Sequence, residues 1–226
     1  MNTSFANCCE EKPTLAINRS IQGNTPEVLA NIYQENTNIT TWQRELSSDL
    51  TSAVDVFLKQ HKTVAKVLTV TPENTPDVLS DAFGNEEETA ALREDVTLLV
   101  DMFCCLFELK QAGLRLTILE RAMCPRFHVD KIPCRLVTTY QGAATEWLHH
   151  DVVNRNKLGA GNQGEPDEQS GLFKQLSDVK QLTQGDVALL KGEYWYKNEG
   201  AGLVHRSPSL AAGERRLLIT VDFIND

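Results

Sequence analysis

The stretch LRLTILERAMCPRFHVDKIPCRLVTTYQG, residues 114–142, is where the hydrophobic period of this chain changes. Upstream of Gly113 apolar residues recur every three or four positions. From Leu114 onward they alternate with polar ones, the pattern of strands with one buried face. Residues 114–120 are expected to form one strand, 126–130 a second, and 134–140, rich in Val and Thr, a third, with a turn at Gly142. Residues 145–148, 179–182, 186–190, 202–206 and 215–223 continue the series, each bounded by glycine, proline or charged turns. Residues 154–170 are glycine-rich and polar and make a long loop. About eight short strands in one half of a chain predict a jelly roll or double-stranded β-helix, two facing sheets with a pocket between them.

The half before Gly113 reads as helical. Thr25-Pro26-Glu27 is a helix start running to about Tyr33, and a polar, Asn-rich exit follows. Ser47, Ser48 and Asp49 cap a second helix whose Leu50, Val54 and Leu58 share a face. Thr75-Pro76-Asp77 opens a third, closed by Gly84. The acids Glu86, Glu87 and Glu88 favour the positive end of a fourth and longest helix. Its stripe is Leu92, Val96, Leu99, Val100, Phe103 and Phe107, and Gly113 is its expected cap. The expected class is therefore α+β, with helices from 21–113 packed on a cupin-like double-stranded β-helix over 114–226. A disordered tail over residues 1–20 is expected to precede them.

Composition narrows the function. With 31 acidic against 22 basic residues the net charge is −9, and no basic stripe interrupts it, so nucleic acid is not an expected partner. The longest apolar run, 98–109, contains Asp101 and Glu108 and is too short to span a bilayer, so no membrane is expected either. The first twenty residues lack a basic segment followed by an apolar one, and a cytoplasmic location is expected. The six cysteines, at 8, 9, 104, 105, 124 and 134, follow no disulfide-framework or zinc-ribbon spacing; Cys104 and Cys105 fit a helix core. Nucleophile-elbow, Walker, dinucleotide-binding and zincin motifs are missing, and GAGNQG, residues 159–164, is a flexible loop without the lysine of a phosphate-binding one.

One constellation remains. In CPRFHVD, residues 124–130, His128 and Asp130 are two apart, which on a strand turns both side chains to one face. His205, in GLVHRSP, supplies a second imidazole from a later strand. Two imidazoles and a carboxylate leave three adjacent positions free on an octahedral metal, as non-haem Fe(II) chemistry needs, whereas structural zinc wants a closed shell. Cys124, Cys134, His149 and His150 could add ligands and tilt the site toward zinc. Arg215 and Arg216 open the last strand, and one of them could grip a carboxylate bidentately. Arg216 is favoured because it shares its face with Thr220, which could add a hydroxyl contact. No further cation stands out for a substrate, and Trp147, Tyr194 and Trp195 are candidates for a pocket wall.

The order His128-x-Asp130, RLVTTYQG, GDVALL, His205 and Arg216 resembles the Fe(II)/2-oxoglutarate-dependent oxygenase superfamily over about residues 114–226. That resemblance implies Fe(II) held by His128, Asp130 and His205. It implies 2-oxoglutarate held by Arg216, with Tyr140 and Thr220 beside it, and an unidentified small-molecule or protein substrate that is hydroxylated. The segments IYQENTNITTWQREL, CPRFHVDKIPCRLVTTYQGAATEWL and LVHRSP also resemble a bacterial family of unknown function found near zinc-homeostasis genes, over about residue 26 to the end. It implies one integrated unit rather than two separable domains and no particular activity, and leaves a zinc-binding cupin-like enzyme or a metal-responsive binding protein as the alternatives.

Overall fold

The computed structural model describes residues 19–224, so residues 1–18 of the expected tail lie outside the described part. Ten strands and three α-helices follow. The strands are β1 (Arg19–Gly23), β2 (Thr37–Trp42), β3 (Ala65–Val70), β4 (Ala112–Leu119), β5 (Cys134–Gln141), β6 (Glu146–Leu148), β7 (Val179–Gln181), β8 (Val187–Lys191), β9 (Val204–Arg206) and β10 (Arg216–Asp222). The helices are α1 (Ser48–Gln60), α2 (Thr75–Phe83) and α3 (Ala90–Phe107), and Pro26–Tyr33 forms a 3-10 helix. A seven-stranded sheet has the order β1-β2-β8-β5-β10-β4-β3, parallel only between β1 and β2. A three-stranded sheet has the order β7-β6-β9.

The helix starts follow local chemistry. Ser47 caps α1 by accepting the Leu50 N–H at 3.2 Å. Gly84 ends α2 at φ +87°, a conformation that costs a residue without Cβ nothing. The expected cap of α3 is displaced, however. Glu108 itself takes the left-handed conformation at φ +53°, and the Leu109 N–H closes on the Cys104 carbonyl at 2.9 Å. Gly113 is instead inside β4, where a Cβ would come within 2.9 Å of Ile224.

The stretch 21–113 is not helical throughout. β2 and β3 lie within it and β1 begins just before it, and all three join the large sheet: β2 pairs with β8, β3 with β4. TNITTW in β2 is almost wholly buried although four of its six residues are polar, so its signal was β-branching rather than hydrophobicity. β3 is an edge strand with Val67 68% exposed, and burial never imposed a clean alternation on it.

Period two then sorts the side chains of the central strands into two cores. From β10, Leu217, Ile219 and Val221 join Leu114 and Leu116 of β4, Leu50 and Phe57 of α1, and Leu99 and Phe103 of α3. From the opposite face, Leu218 packs with Val137, Leu190 and Ile39, and with Trp147 and Leu203, which come from β6 and the residue before β9. The second face therefore looks at the small sheet, and side chains between the two sheets line a cavity. No helix among the described residues is long and apolar enough to cross a membrane.

Candidate metal centre

His128 and Asp130 are in the 14-residue connection between β4 and β5 rather than on a strand. The strand expected over 126–130 reduces to one antiparallel bridge, in which His128 and His205 exchange N–H···O bonds of 3.0 Å in both directions. Other groups do the work of a ladder. Asp167, 3% exposed, accepts the Phe127 N–H at 2.8 Å and pairs with Arg126 Nε at 3.0 Å. The turn after β8 holds the far end: Glu193 N–H donates to the Asp130 carbonyl at 2.9 Å and Gly192 N–H to that of Pro133 at 2.8 Å. A Cβ on Gly192 would stand 2.1 Å from the Ile132 carbonyl oxygen, so only glycine permits this approach.

The result is a compact donor set. His128 Nε2 is 3.7 Å from Asp130 Oδ1 and His205 Nε2 is 3.5 Å from Asp130 Oδ2; one donor atom from each residue lies within 4.8 Å of the others. Each Nδ1 faces a backbone carbonyl, that of Arg126 at 2.9 Å and that of Leu203 at 3.2 Å. A carbonyl only accepts, so these contacts call for the proton on Nδ1 and leave each Nε2 on the side of the carboxylate, free to ligate. Burial pushes the His205 imidazole below its ordinary pKa, against the pull of Asp130, which keeps it neutral and able to ligate near pH 7. Two imidazoles and one aspartate side chain, with no cysteine in the group, fit a divalent metal with open positions.

Of the adjacent arginines, Arg215 turns away and bonds the carbonyls of Leu58, His61 and Lys62 at the end of α1. Arg216 turns into the cavity between the sheets and is 1% exposed. Its guanidinium donates to the hydroxyls of Thr139 at 3.0 Å, Thr145 at 2.9 Å and Ser207 at 3.1 Å, and no carboxylate among the described residues pairs with it. Burial alone lowers its pKa to about 10. Ser207 is two residues beyond His205, and this guanidinium lines the same cavity as His128 and His205.

Thr220 also lines the cavity, but it is in register with Arg115 and makes no bond to Arg216. Tyr140 does not reach it. Its parity places it with Cys134 and Leu136 on the helix-side face, where its hydroxyl donates to Asp95 Oδ2 at 2.5 Å, beside the Arg44–Asp95 ion pair. Cys134 is fully buried on that same face, and Cys124 lines the cavity outside the three-residue donor group. His149 packs on Trp147 and His150 is next to Arg155. Trp147 is core, Trp195 packs on Tyr33 and Phe107, and Tyr194 is 64% exposed, so none of the three walls the cavity.

The cavity holds residues that sequence inspection passed over. Arg115, Arg135 and Arg206 line it together with Arg216, against the expectation that no further cation would face a substrate. Arg135 is spanned by carboxylates, donating to Asp130 Oδ2 at 2.7 Å and to both Asp222 oxygens at 2.6 and 2.9 Å. Arg206 pairs with Glu146 at 2.6 Å and Glu168 at 2.7 Å. The signal for Arg115 and Arg135 was their parity, since each alternates with leucines of the other face.

A family model described as "Protein of unknown function (DUF1826)" matches residues 23–222. The chain belongs to the DUF1826 family. No curated protein matches it. This DUF1826 member is similar in fold to the rice dioxygenase for auxin oxidation, with a TM-score of 0.51 at 11% identity, over 91% of this chain and 82% of that one. It is equally similar to dioxygenase for auxin oxidation 1 from Arabidopsis thaliana, solved as a binary complex with 2-oxoglutarate, with a TM-score of 0.51 at 11% identity over 92% of each chain. At such identity the likeness is one of fold alone.

Proposed function

We propose that this DUF1826 protein is a non-haem Fe(II)/2-oxoglutarate-dependent oxygenase. The observation that carries the proposal is Arg216: a buried guanidinium, satisfied by hydroxyls but without a counter-charge, facing the cavity that the two histidines of an N,N,O donor set also line. A buried cation of that kind is costly by itself and is relieved by a carboxylate ligand. The distal carboxylate of 2-oxoglutarate would supply the missing counter-charge, and the fold shared with a 2-oxoglutarate complex supports the same reading.

His128, Asp130 and His205 would hold the iron, which supplies, when bound, the reduction of dioxygen coupled to decarboxylation of the keto acid and hydroxylation of the substrate. The Nδ1–H bonds to Arg126 and Leu203 aim both imidazoles. Arg135 holds the Asp130 carboxylate in place. Arg216, with Thr139, Thr145 and Ser207, would orient the distal carboxylate of the co-substrate, and Val137, Leu190 and Leu218 exclude water along the wall between.

The test is anaerobic titration of the purified chain with Fe(II) and 2-oxoglutarate, watched for the visible charge-transfer band of the keto-acid chelate. His128→Ala should lose metal, while Arg216→Gln should keep metal and lose the band at concentrations that saturate the wild type. A chain that binds Zn(II) tightly and never responds to 2-oxoglutarate would replace this reading with that of a zinc-binding cupin-like protein.

A further inference from the structure

Two of the four arginines around the cavity lack a counter-charge. Arg135 and Arg206 are neutralised by carboxylates, and Arg216 is assigned above to the co-substrate, which leaves Arg115. Its Nε is buried without a hydrogen-bond partner, and none of the described carboxylates forms an ion pair with it. Directly opposite in the β4–β10 register stands Thr220, 7% exposed, whose hydroxyl is also buried and unpartnered. Side chains facing each other this way have Cβ atoms about 5 Å apart, so an unmet donor and an unmet hydroxyl adjoin on one patch of wall. Buried polar groups are nearly always paired, and of the six buried unpartnered side-chain atoms among the described residues only these two belong to residues lining the cavity, where one acceptor would meet both.

The position of the pair in the sheet says where that acceptor comes from. The row across the sheet runs Val137, Thr220, Arg115, Val67. It begins at the apolar wall and ends at the edge strand, where Val67 is open to solvent. Arg115 therefore stands between the interior and the sheet edge. Thr220 is two same-face positions along β10 from Arg216, so the two guanidiniums serve different parts of the cavity. In a chain of net charge −9 this is a local cationic site, selective for anions by its placement.

We infer that Arg115 and Thr220 bind an oxyanion group, carboxylate or phosphate, carried by the substrate. This inference rests on the oxygenase reading for the word substrate, but the site itself does not. Arg115 acts as a specificity-determining residue: it donates to the oxyanion through Nε and its terminal nitrogens, and Thr220 donates its hydroxyl hydrogen to the same group.

The experiment is calorimetric titration of the full chain, loaded with Zn(II) as a redox-inert metal and saturated with 2-oxoglutarate, using benzoate and phenyl phosphate as probes. One of the two should bind, and which one identifies the oxyanion. Arg115→Gln should weaken that probe at least tenfold while leaving 2-oxoglutarate affinity within about twofold. Arg115→Lys, which keeps the charge but not the fork, should fall between them, and a melting curve for each variant establishes that it is folded. Failure of both probes to bind the wild type, or equal probe affinity in folded Arg115→Gln, overturns the inference. So does a loss confined to 2-oxoglutarate, which would move Arg115 into the co-substrate site. A wild-type chain that ignores 2-oxoglutarate but binds a probe through Arg115 would leave this site standing and remove the oxygenase reading.

Discussion

Arg135 donates to Asp130 Oδ2 at 2.7 Å while gripping both oxygens of Asp222, so the carboxylate of the donor set is held from behind by a guanidinium that is itself anchored. Two effects of opposite sign meet there. The bond orients Asp130 toward the imidazoles, and the positive charge draws electron density from an oxygen that a metal would share.

For metal binding, orientation should win, because an unanchored aspartate on a loop loses the entropy of several rotamers on ligating. Arg135→Gln is expected to weaken Zn(II) or Co(II) binding by roughly 10–100-fold in a chelator competition. Asp222→Asn should follow in the same direction with a smaller effect. Tighter binding in Arg135→Gln would show that charge withdrawal dominates.

Tyr140 tests the assignment of faces. It is fully buried beside the Arg44–Asp95 pair and distant in parity from the cavity wall. Tyr140→Phe should therefore cost about 1–2 kcal/mol in urea unfolding, through the hydroxyl bond lost by Asp95. Metal and 2-oxoglutarate affinities should not change. A selective loss of 2-oxoglutarate with unaltered stability would place the ring in the cavity after all.

Gly192 couples the turn after β8 to the metal loop. An added Cβ would stand 2.1 Å from the Ile132 oxygen and 2.8 Å from that of Asp130, both backbone atoms that cannot rotate aside. Gly192→Ala is expected to lower unfolding stability by roughly 1–3 kcal/mol. It should also weaken metal binding in the fraction that remains folded, because relief of the clash moves the backbone of Asp130. Wild-type metal affinity in this variant would mean that the loop yields elsewhere.

Lys191 provides a pH signature. Its ammonium is 1% exposed, donates to the Gln34 carbonyl at 3.0 Å and lies 4.8 Å from the Trp195 ring centre. Burial lowers its pKa from 10.5 to about 8, against the pull of the Glu35 carboxylate. Because the folded value is the lower one, Lys191 by itself contributes a stability that rises with pH above about 8, opposed above about pH 9 by the buried Cys134 thiol, whose pKa burial raises. The penalty is complete below about pH 8 and amounts to roughly 3 kcal/mol. Denaturant titrations from pH 7 to 10.5 should show the stability of Lys191→Met relative to the wild type falling as pH rises, because only the wild type recovers the Lys191 penalty. Parallel profiles would remove Lys191 as the cause.

Much of this protein is legible in one dimension. The change of period at Gly113 announces the strands from β4 onward. The spacing of His128 and Asp130 and the isolated His205 announce a donor set, and the alternation in RRLLITVDF announces that only one of two arginines can face inward. These are local facts, because strand parity and helix capping depend on neighbours in the chain. Parity, however, groups residues by face without saying which face meets the cavity. Tyr140 and Cys134 could be sorted together with Leu136 from sequence, but only the packing of α1 and α3 on that side decided that they belong to the helix layer. The same packing sent Arg215 to the end of α1 and Arg216 to the cavity. β2 stayed hidden because it is buried with threonines rather than hydrocarbons, a condition met only once β8 supplies its hydrogen bonds. Whether a charge is spoken for is likewise a tertiary fact: Arg115, Arg135, Arg206 and Arg216 are the same residue type, and their different freedom to bind comes from carboxylates distant in sequence that reach two of them and not the others.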